Sequence, residues 1–272
     1  MKMVSAARLK KAQDAILQIR PYAGKLEEIF DLLSAETEKA GDSPFVQFRE
    51  PEKVLIILVS SNRGLCGGFN AAVAKAAIEL AGSKYKEQLE AENVDFWAIG
   101  KQGERHLKSR HMKIVGQSNE LFDNLDFNHA SALVTKFLSF FSGKKYDRVE
   151  LVYNKFLNAA VQECQTEQLL PVEMKEDETP KAGAGNYNFL LEPSAGEILA
   201  EMVPYILKIH FYRVLLDSNA SEHGARMTAM HKATDNATDL VRELTLTFNK
   251  VRQGAITNEI IEVTSGAEAM NG

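Results

Sequence analysis

The chain has 272 residues, 45% of them hydrophobic and 25% charged, which is the composition of a water-soluble globular protein. Its formal net charge of −5 excludes a dedicated nucleic-acid binder, because such proteins carry a strong basic excess. No apolar run is long enough to cross a bilayer, and the two cysteines, Cys66 and Cys164, lack the spacing of a metal or redox site.

The first segment, from residue 1 to about residue 40, is predicted to form a long helix. Steps of alternately three and four residues place apolar side chains on one face, from Leu9 through Ile16 and Phe30 to Leu33. This spacing is typical of a helix that packs lengthwise against a partner helix. Pro21 interrupts the pattern and predicts a local bend.

The middle of the chain, residues 51 to 193, alternates between strand and helix patterns. Residues 54–59 form a continuous apolar, β-branched run, as expected for a strand that is buried on both faces. The alternation predicts a small α/β sandwich with a largely parallel sheet, followed by a polar loop at 173–187. The other predicted strands are 94–99, 113–115, 148–153 and 160–170, and the predicted helices are 71–80, 100–109 and 130–141.

A glycine-containing loop at residues 60–70 follows the first strand and is the strongest candidate for a ligand site. Such a turn can bind phosphate through its backbone N–H groups. The loop contains neither GxGxxG nor GK[ST], so its sequence favours a tight structural turn. No histidine or cysteine spacing is typical of a metal site, and no motif indicates a nucleophile. The sequence therefore predicts no catalytic residue, no metal and no cofactor.

The last segment, from residue 194 to the end, is predicted to form a second and longer helix. The same alternating steps run from Leu199 to Ala255, and only Arg213, His223 and Thr234 break the apolar stripe. An apolar repeat of 3.5 residues kept in register over this length indicates a coiled coil. His223 is interpreted either as a polar residue that sets the register or as a partner contact.

The predicted fold class is therefore α/β, with a long antiparallel coiled coil of N- and C-terminal helices and a Rossmann-like α/β domain inserted between them. The helices enter and leave the same domain, which favours antiparallel pairing. The predicted divisions are 1–50 for the first helix, 51–193 for the α/β domain and 194–272 for the second helix.

The two helices differ in length, and the difference predicts an uncovered surface. In an antiparallel register the first helix covers the second helix only as far as about residue 235. The apolar stripe continues beyond that point with Val241, Leu244, Phe248 and Val251. An exposed stripe of that size is typical of a surface that another protein covers. We expect that the natural helix begins upstream of Met1 and also that a partner surrounds the far end.

Three stretches carry a resemblance to a known family: residues 1–9 (MKMVSAARL), 60–70 (SSNRGLCGGFN) and 252–259 (RQGAITNE), continuing to Gly266 and Ala267. With these motifs the chain resembles the gamma subunit of F-type ATP synthases along essentially its whole length. Two positions depart from the family pattern, since Asn62 replaces a usual aspartate and Gly254 a usual alanine. A glycine inside a helix costs about 1 kcal/mol, so Gly254 is expected to soften the helix.

The resemblance implies a non-catalytic rotor shaft that transmits torque from a proton-driven c ring to catalytic beta subunits. The implied partners are the alpha and beta subunits of the catalytic hexamer, the epsilon subunit and the c ring. The chain would touch the membrane only peripherally, on the cytoplasmic side of a bacterial inner membrane. One alternative is a nucleotide-binding α/β enzyme with a helical arm, suggested by the glycine loop. The other is a passive coiled-coil scaffold, suggested by the 3.5-residue apolar repeat alone.

The resemblance also implies roles for individual residues. The basic start of the first helix is either a solvated face or a face that moves past acidic loops of the beta subunits. The implied beta-subunit contacts are Arg252, Gln253, Thr257, Glu259, Met1 and Lys2. The implied tip, which turns in an apolar bearing, contains Ile260, Ile261, Val263 and Met270, and the implied foot at the c ring contains Leu190, Leu191 and Glu192.

Overall fold

The computed structural model describes residues 2–36, 45, 47–122, 124–172, 192 and 195–271. They divide into two compact units, Met1–Thr228 and Ala229–Gly272. The helices are α1 (Lys2–Glu36), α2 (Phe69–Ser83), α3 (Lys86–Glu90), α4 (Lys101–Ser109), α5 (Phe127–Ser142) and α6 (Ala195–Asn271). The strands are β1 (Val54–Val59), β2 (Val94–Ile99), β3 (Ile114–Gln117), β4 (Arg148–Phe156) and β5 (Gln162–Leu170).

The first unit is built on one five-stranded sheet with the strand order β3-β2-β1-β4-β5. The first four strands are parallel and β5 is antiparallel to β4, so the prediction of a largely parallel α/β sheet is confirmed. At the centre, Ile57 of β1 lies between Trp97 of β2 and Leu151 of β4. All six residues of β1 are fully buried, which explains why this strand is apolar throughout.

Alternate side chains of β1 supply two cores, one on each face of the sheet. On one face, Leu55, Ile57 and Val59 pack with residues of α5 and α6, among them Phe137 and Phe211. The opposite face is covered by α2 and α4, and its core contains these residues: Val54, Ile56, Leu58, Val73, Ala77 and Leu107. Helices on both faces of a mostly parallel sheet are the arrangement that the strand–helix alternation predicts.

The helices α1 and α6 pack against each other in the first unit, in antiparallel orientation. Leu9 and Ile16 of α1 share a buried cluster with Leu216 and Ala220 of α6. Further along α1, the Tyr22 hydroxyl lies 3.0 Å from that of Tyr205, so position increases along one helix as it decreases along the other. The predicted antiparallel pairing of the terminal helices is therefore confirmed.

Several predicted boundaries shift by a few residues, and two short elements have no sequence prediction. Helix α5 begins at Phe127, three residues earlier than predicted, because the Asp126 side chain accepts a hydrogen bond from the His129 N–H at 2.8 Å and caps the helix. Helix α3 and a 3₁₀ helix at Asn119–Phe122 are too short to show an apolar period. The predicted loop at 173–187 lies outside the described residues.

Candidate partner interface

Among the described residues, an extended apolar surface is exposed on α6, in the second unit. From residue 231 to residue 270 every described side chain is exposed except the half-buried Asn249. The four predicted uncovered positions Val241, Leu244, Phe248 and Val251 are exposed by 64%, 58%, 65% and 66%. Apolar surface of this extent is expected where another protein binds. The prediction of an uncovered stripe is confirmed for the described residues.

Four of the six predicted beta-subunit contacts lie along the same exposed stretch of α6 as the predicted tip. Arg252, Gln253, Thr257 and Glu259 are all exposed, as is the whole of the predicted tip. The Thr257 hydroxyl donates to the Gln253 carbonyl oxygen at 2.8 Å, within the helix. Residues four apart share a helix face, so Gln253 and Thr257 are neighbours on this surface. Exposure in the tip is 58% for Ile260, 54% for Ile261, 72% for Val263 and 89% for Met270.

The start of α1 lines a cationic cleft of about 670 Å³ in the first unit. The cations at this cleft are Arg8 and Lys11 of α1 and Arg63 of the glycine loop. Within the part of the chain that the structure describes, none of these three forms an ion pair. Of the two predicted contacts at this end, Lys2 begins α1, and Met1 lies outside the described residues.

His223 of α6 also lines this cleft, and its surroundings keep it neutral. Burial lowers its pKa to about 4, and the positive charges of Arg226 and Arg8 act in the same direction. Its Nδ1 lies 3.3 Å from Nη1 of Arg226, which can only donate, so Nδ1 is the acceptor and the proton is on Nε2. The cleft therefore presents three cations and a neutral N–H donor beside one carboxyl group, that of Glu222, which is paired with Arg226, so that cations predominate in its lining.

The glycine loop is held in shape by its own side chains. The Ser61 N–H donates to Asn70 Oδ1 at 2.9 Å, and the Ser61 hydroxyl donates to the Arg63 carbonyl oxygen at 2.6 Å. Gly67 has φ of +60°, a conformation that glycine adopts without strain. The carbonyl oxygens of Arg63 and Gly64 accept hydrogen bonds from Arg226 of α6. A phosphate site would need N–H donors here, so this geometry favours the structural turn.

Arg226 makes buried contacts that the sequence does not predict. Its guanidinium pairs with Glu222 at 2.7 Å, and both side chains are almost fully buried. Burial raises the pKa of Glu222, although the charge of Arg226 opposes the shift. Arg226 lies beside the apolar stripe rather than on it, and the loop that receives it is distant in sequence, so the sequence gives only a weak signal of these contacts.

The predicted foot is described only in part. Glu192 is exposed and lines a groove with Glu197 and Glu201 at the start of α6. Leu190 and Leu191 lie outside the described residues. Among the described residues, no cluster of His, Cys, Asp or Glu is arranged to hold a metal ion. None of the described helical stretches combines the length and apolar character needed to span a membrane.

Comparison with known proteins gives matches along almost the whole chain. Residues 1–270 match the family model described as ATP synthase. The ATP synthase gamma chain of Christiangramia forsetii is 46% identical over 272 residues, which are 100% of this chain and 92% of that protein. The ATP synthase gamma chain of Flavobacterium johnsoniae is 49% identical with the same coverage.

Two solved structures have the same fold. A chain of the central stalk and c-ring structure of the Tetrahymena thermophila mitochondrial ATP synthase aligns with a TM-score of 0.62 at 22% identity. The alignment covers 86% of this chain and 97% of that one. A chain of the Euglena gracilis mitochondrial ATP synthase aligns with a TM-score of 0.59 at 17% identity, covering 97% of this chain and 95% of that one.

Proposed function

This chain belongs to the ATP synthase gamma-chain family, and we propose that it turns as the central shaft of an F-type ATP synthase. It is a non-catalytic subunit of the central stalk, and its partners are the other F1 subunits and the c ring. Torque enters from the proton-driven c ring and reaches the catalytic beta subunits through the long helices.

The observation that carries this function is the exposed apolar stripe of α6. Val241, Leu244, Phe248 and Val251 continue the repeat that is buried earlier in the helix, where Leu216 is only 5% exposed. A passive scaffold would account for the stripe but not for the α/β domain inserted between the paired helices. A shaft that the alpha and beta subunits surround accounts for both.

Specific residues are assigned to the contact with the beta subunits. Arg252, Gln253, Thr257 and Glu259 offer charged and amide groups from one exposed stretch of helix, suited to hydrogen bonding with a loop of the catalytic ring. At the other contact, the cations around the cleft at Arg8 attract acidic loops of the same subunits. Lys2, the first residue of α1, and Met1, which precedes it in the sequence, are assigned to this second contact.

The remaining assignments concern the two ends of the shaft. Ile260, Ile261, Val263 and Met270 form a tip that turns in an apolar bearing of alpha and beta subunits, supported by their exposure. Leu190, Leu191 and Glu192 form the foot at the c ring, with the epsilon subunit beside it. Residues 1–50 and 194–272 serve as the shaft, and 51–193 as its α/β domain.

The proposed location is the cytoplasmic face of a bacterial inner membrane, where the c ring holds the chain peripherally. The bacterial relatives at 46% and 49% identity support this assignment.

The coupling follows from differential contact. An asymmetric shaft presents a different face to each of three beta subunits at each angle of rotation. A contact can shift the equilibrium between open, loose and tight nucleotide sites only if its free energy differs among them. Rotation therefore changes which site is favoured, and the chain itself makes and breaks no covalent bond.

Co-purification tests the proposal. The tagged chain is expected to retain alpha, beta and epsilon subunits. Phe248→Asp is expected to reduce the recovery of alpha and beta subunits at least about tenfold, because it would bury an unpaired charge under the subunits that cover the stripe. Leu157→Asp, at a 52% exposed residue in the turn after β4, serves as the control. Equal recovery with Phe248→Asp would show that the stripe is not the covered surface.

Calorimetry distinguishes the nucleotide-binding alternative. A shaft should bind neither ATP, ADP nor NAD as an isolated chain. Stoichiometric binding of any of the three would favour an enzyme with a helical arm.

A further inference from the structure

The last turns of α6 within the first unit, residues 222–228, are held between two loops of the α/β domain. On one side lies the glycine loop. Arg226 Nη2 donates to the Arg63 carbonyl oxygen at 3.0 Å and to that of Gly64 at 3.3 Å, and Nε reaches Gly64 at 3.4 Å. These contacts join residues more than 160 positions apart in sequence.

On the other side lies the turn between β4 and β5. The Thr228 hydroxyl donates to the Ala159 carbonyl oxygen at 3.1 Å. Gly224 approaches the same residue closely: a Cβ at this position would lie 3.2 Å from the Ala159 carbonyl oxygen and 3.3 Å from its Cα. A glycine in mid-helix lowers helix stability, so its use here is explained by the close approach of the turn.

The two sets of contacts are on opposite faces of the helix. Each residue advances about 100° around a helix, so Gly224 and Thr228 each lie about 200° from Arg226. A contact on one face would let the helix roll, whereas contacts on two opposite faces resist rotation about the helix axis in either direction.

We propose that the glycine loop and the β4–β5 turn form a collar that prevents α6 from turning within the α/β domain. Arg226, Gly224 and Thr228 are then positioning residues through which the domain transmits torque to the helix. This inference rests on the proposed rotary function.

The chemistry of Arg226 suits this role. An arginine guanidinium is a planar fork that donates in several directions at once, whereas a lysine ammonium is a point charge on a flexible stem. Glu222 neutralises Arg226 at 2.7 Å and helps to fix its orientation. Because these groups are buried, water competes little for their hydrogen bonds.

The test uses the complete ATP synthase, reassembled in vesicles with the variant Arg226→Lys/Thr228→Val. Lysine keeps the charge opposite Glu222, and valine replaces threonine at nearly constant shape. The control is Arg105→Lys/Thr135→Val, because Arg105 is exposed and the Thr135 hydroxyl donates to the Ser131 carbonyl oxygen of its own helix. ATP hydrolysis and ATP-driven proton pumping are measured together while the opposing proton gradient is increased.

The collar predicts that hydrolysis continues while protons pumped per ATP decrease, and that the deficit grows with the opposing gradient. Each collar hydrogen bond that is lost should raise the fraction of ATP hydrolysed without proton pumping about fivefold. Simple destabilisation of the chain would lower hydrolysis and pumping together, whatever the load. Pumping per ATP equal to that of the control at every load would overturn the collar.

Two further outcomes are informative. If the double variant does not assemble, Thr228→Val alone decides, and an unchanged load dependence would overturn the proposal. If the unaltered chain restores no coupled pumping, the proposed rotary function is wrong. This outcome is distinct from failure of the collar, because it is measured before any variant is tested.

Discussion

At the scale of single residues, the most informative groups are those whose neighbours could not be known from the sequence. His223 interrupts the apolar stripe, and the sequence left two interpretations open. The structure places it beside Arg226 and close to the charge of Arg8, at a cleft that opens to solvent. His223 is therefore partly buried in the packing of α6 and also lines the cleft, and its role as a partner contact stays a prediction.

The lowered pKa of His223 predicts an acid-sensitive step in stability. Its folded pKa of about 4 lies below the ordinary value of about 6.5, so at intermediate pH the unfolded chain binds a proton that the folded chain does not. The contribution of neutral His223 to the free energy of unfolding is complete above pH 6.5 and is lost as the pH falls towards 4. We expect a loss of about 2 kcal/mol, reduced from the full shift because the ring is partly exposed.

Urea unfolding of the isolated chain between pH 7 and pH 4 measures this step. His223→Gln should flatten the dependence, since a glutamine carbonyl can still accept from Arg226 but does not titrate. The exposed His111→Gln is the matched control and should leave the curve as it is. An identical slope for His223→Gln and the unaltered chain would contradict the prediction.

At the scale of elements, the sequence predicts well where one apolar period continues for many residues. The α6 repeat from Leu199 to Ala255 and the β-branched run of β1 both correspond to observed elements. Where a boundary depends on a single side-chain hydrogen bond, as with Asp126 at the start of α5, periodicity gives the element but not its first residue. The collar was not predictable, because it requires knowing which loops approach residues 224–228.

Gly254 gives a prediction for the exposed part of α6. A Cβ added there would meet nothing within 4 Å, so Gly254→Ala introduces no clash within the chain. Removing the backbone freedom of glycine should stabilise the local helix by about 1 kcal/mol. Amide hydrogen exchange near residue 254 in the isolated chain should then slow about fivefold.

Gly266→Ala is the control, since Gly266 lies in the same helix and is equally unobstructed. It should slow exchange in its own turn and leave the turn at residue 254 unchanged. Unaltered exchange in Gly254→Ala would mean that these residues are not helical in the free chain.

At the scale of the whole molecule, the two compact units meet different requirements. In Met1–Thr228 a buried sheet and two helix layers fix side chains firmly, and the buried core clusters lie there. In Ala229–Gly272 one helix exposes apolar and charged side chains alike. The proposed contact and tip residues of α6 are therefore ones that contribute little to the stability of the isolated chain.

This separation predicts how Arg252 responds to substitution. Its side chain is exposed, so Arg252→Leu should leave the thermal unfolding of the isolated chain within about 0.5 kcal/mol of the original. Within the enzyme the same change would remove the charge-assisted hydrogen bond that we propose Arg252 makes to the beta subunit, worth about 2 kcal/mol. Proton-driven ATP synthesis in reassembled vesicles should then fall roughly thirtyfold, because the bias between nucleotide states weakens by that factor. Gln253→Leu should act in the same direction and more weakly, since an amide makes a neutral hydrogen bond.

Arg242→Leu is a matched change on the same helix, at an exposed arginine outside the contact motif. Synthesis unchanged in Arg252→Leu, or reduced equally in Arg242→Leu, would remove the reason for assigning the contact to Arg252, because only a specific hydrogen bond distinguishes two arginines with the same exposure.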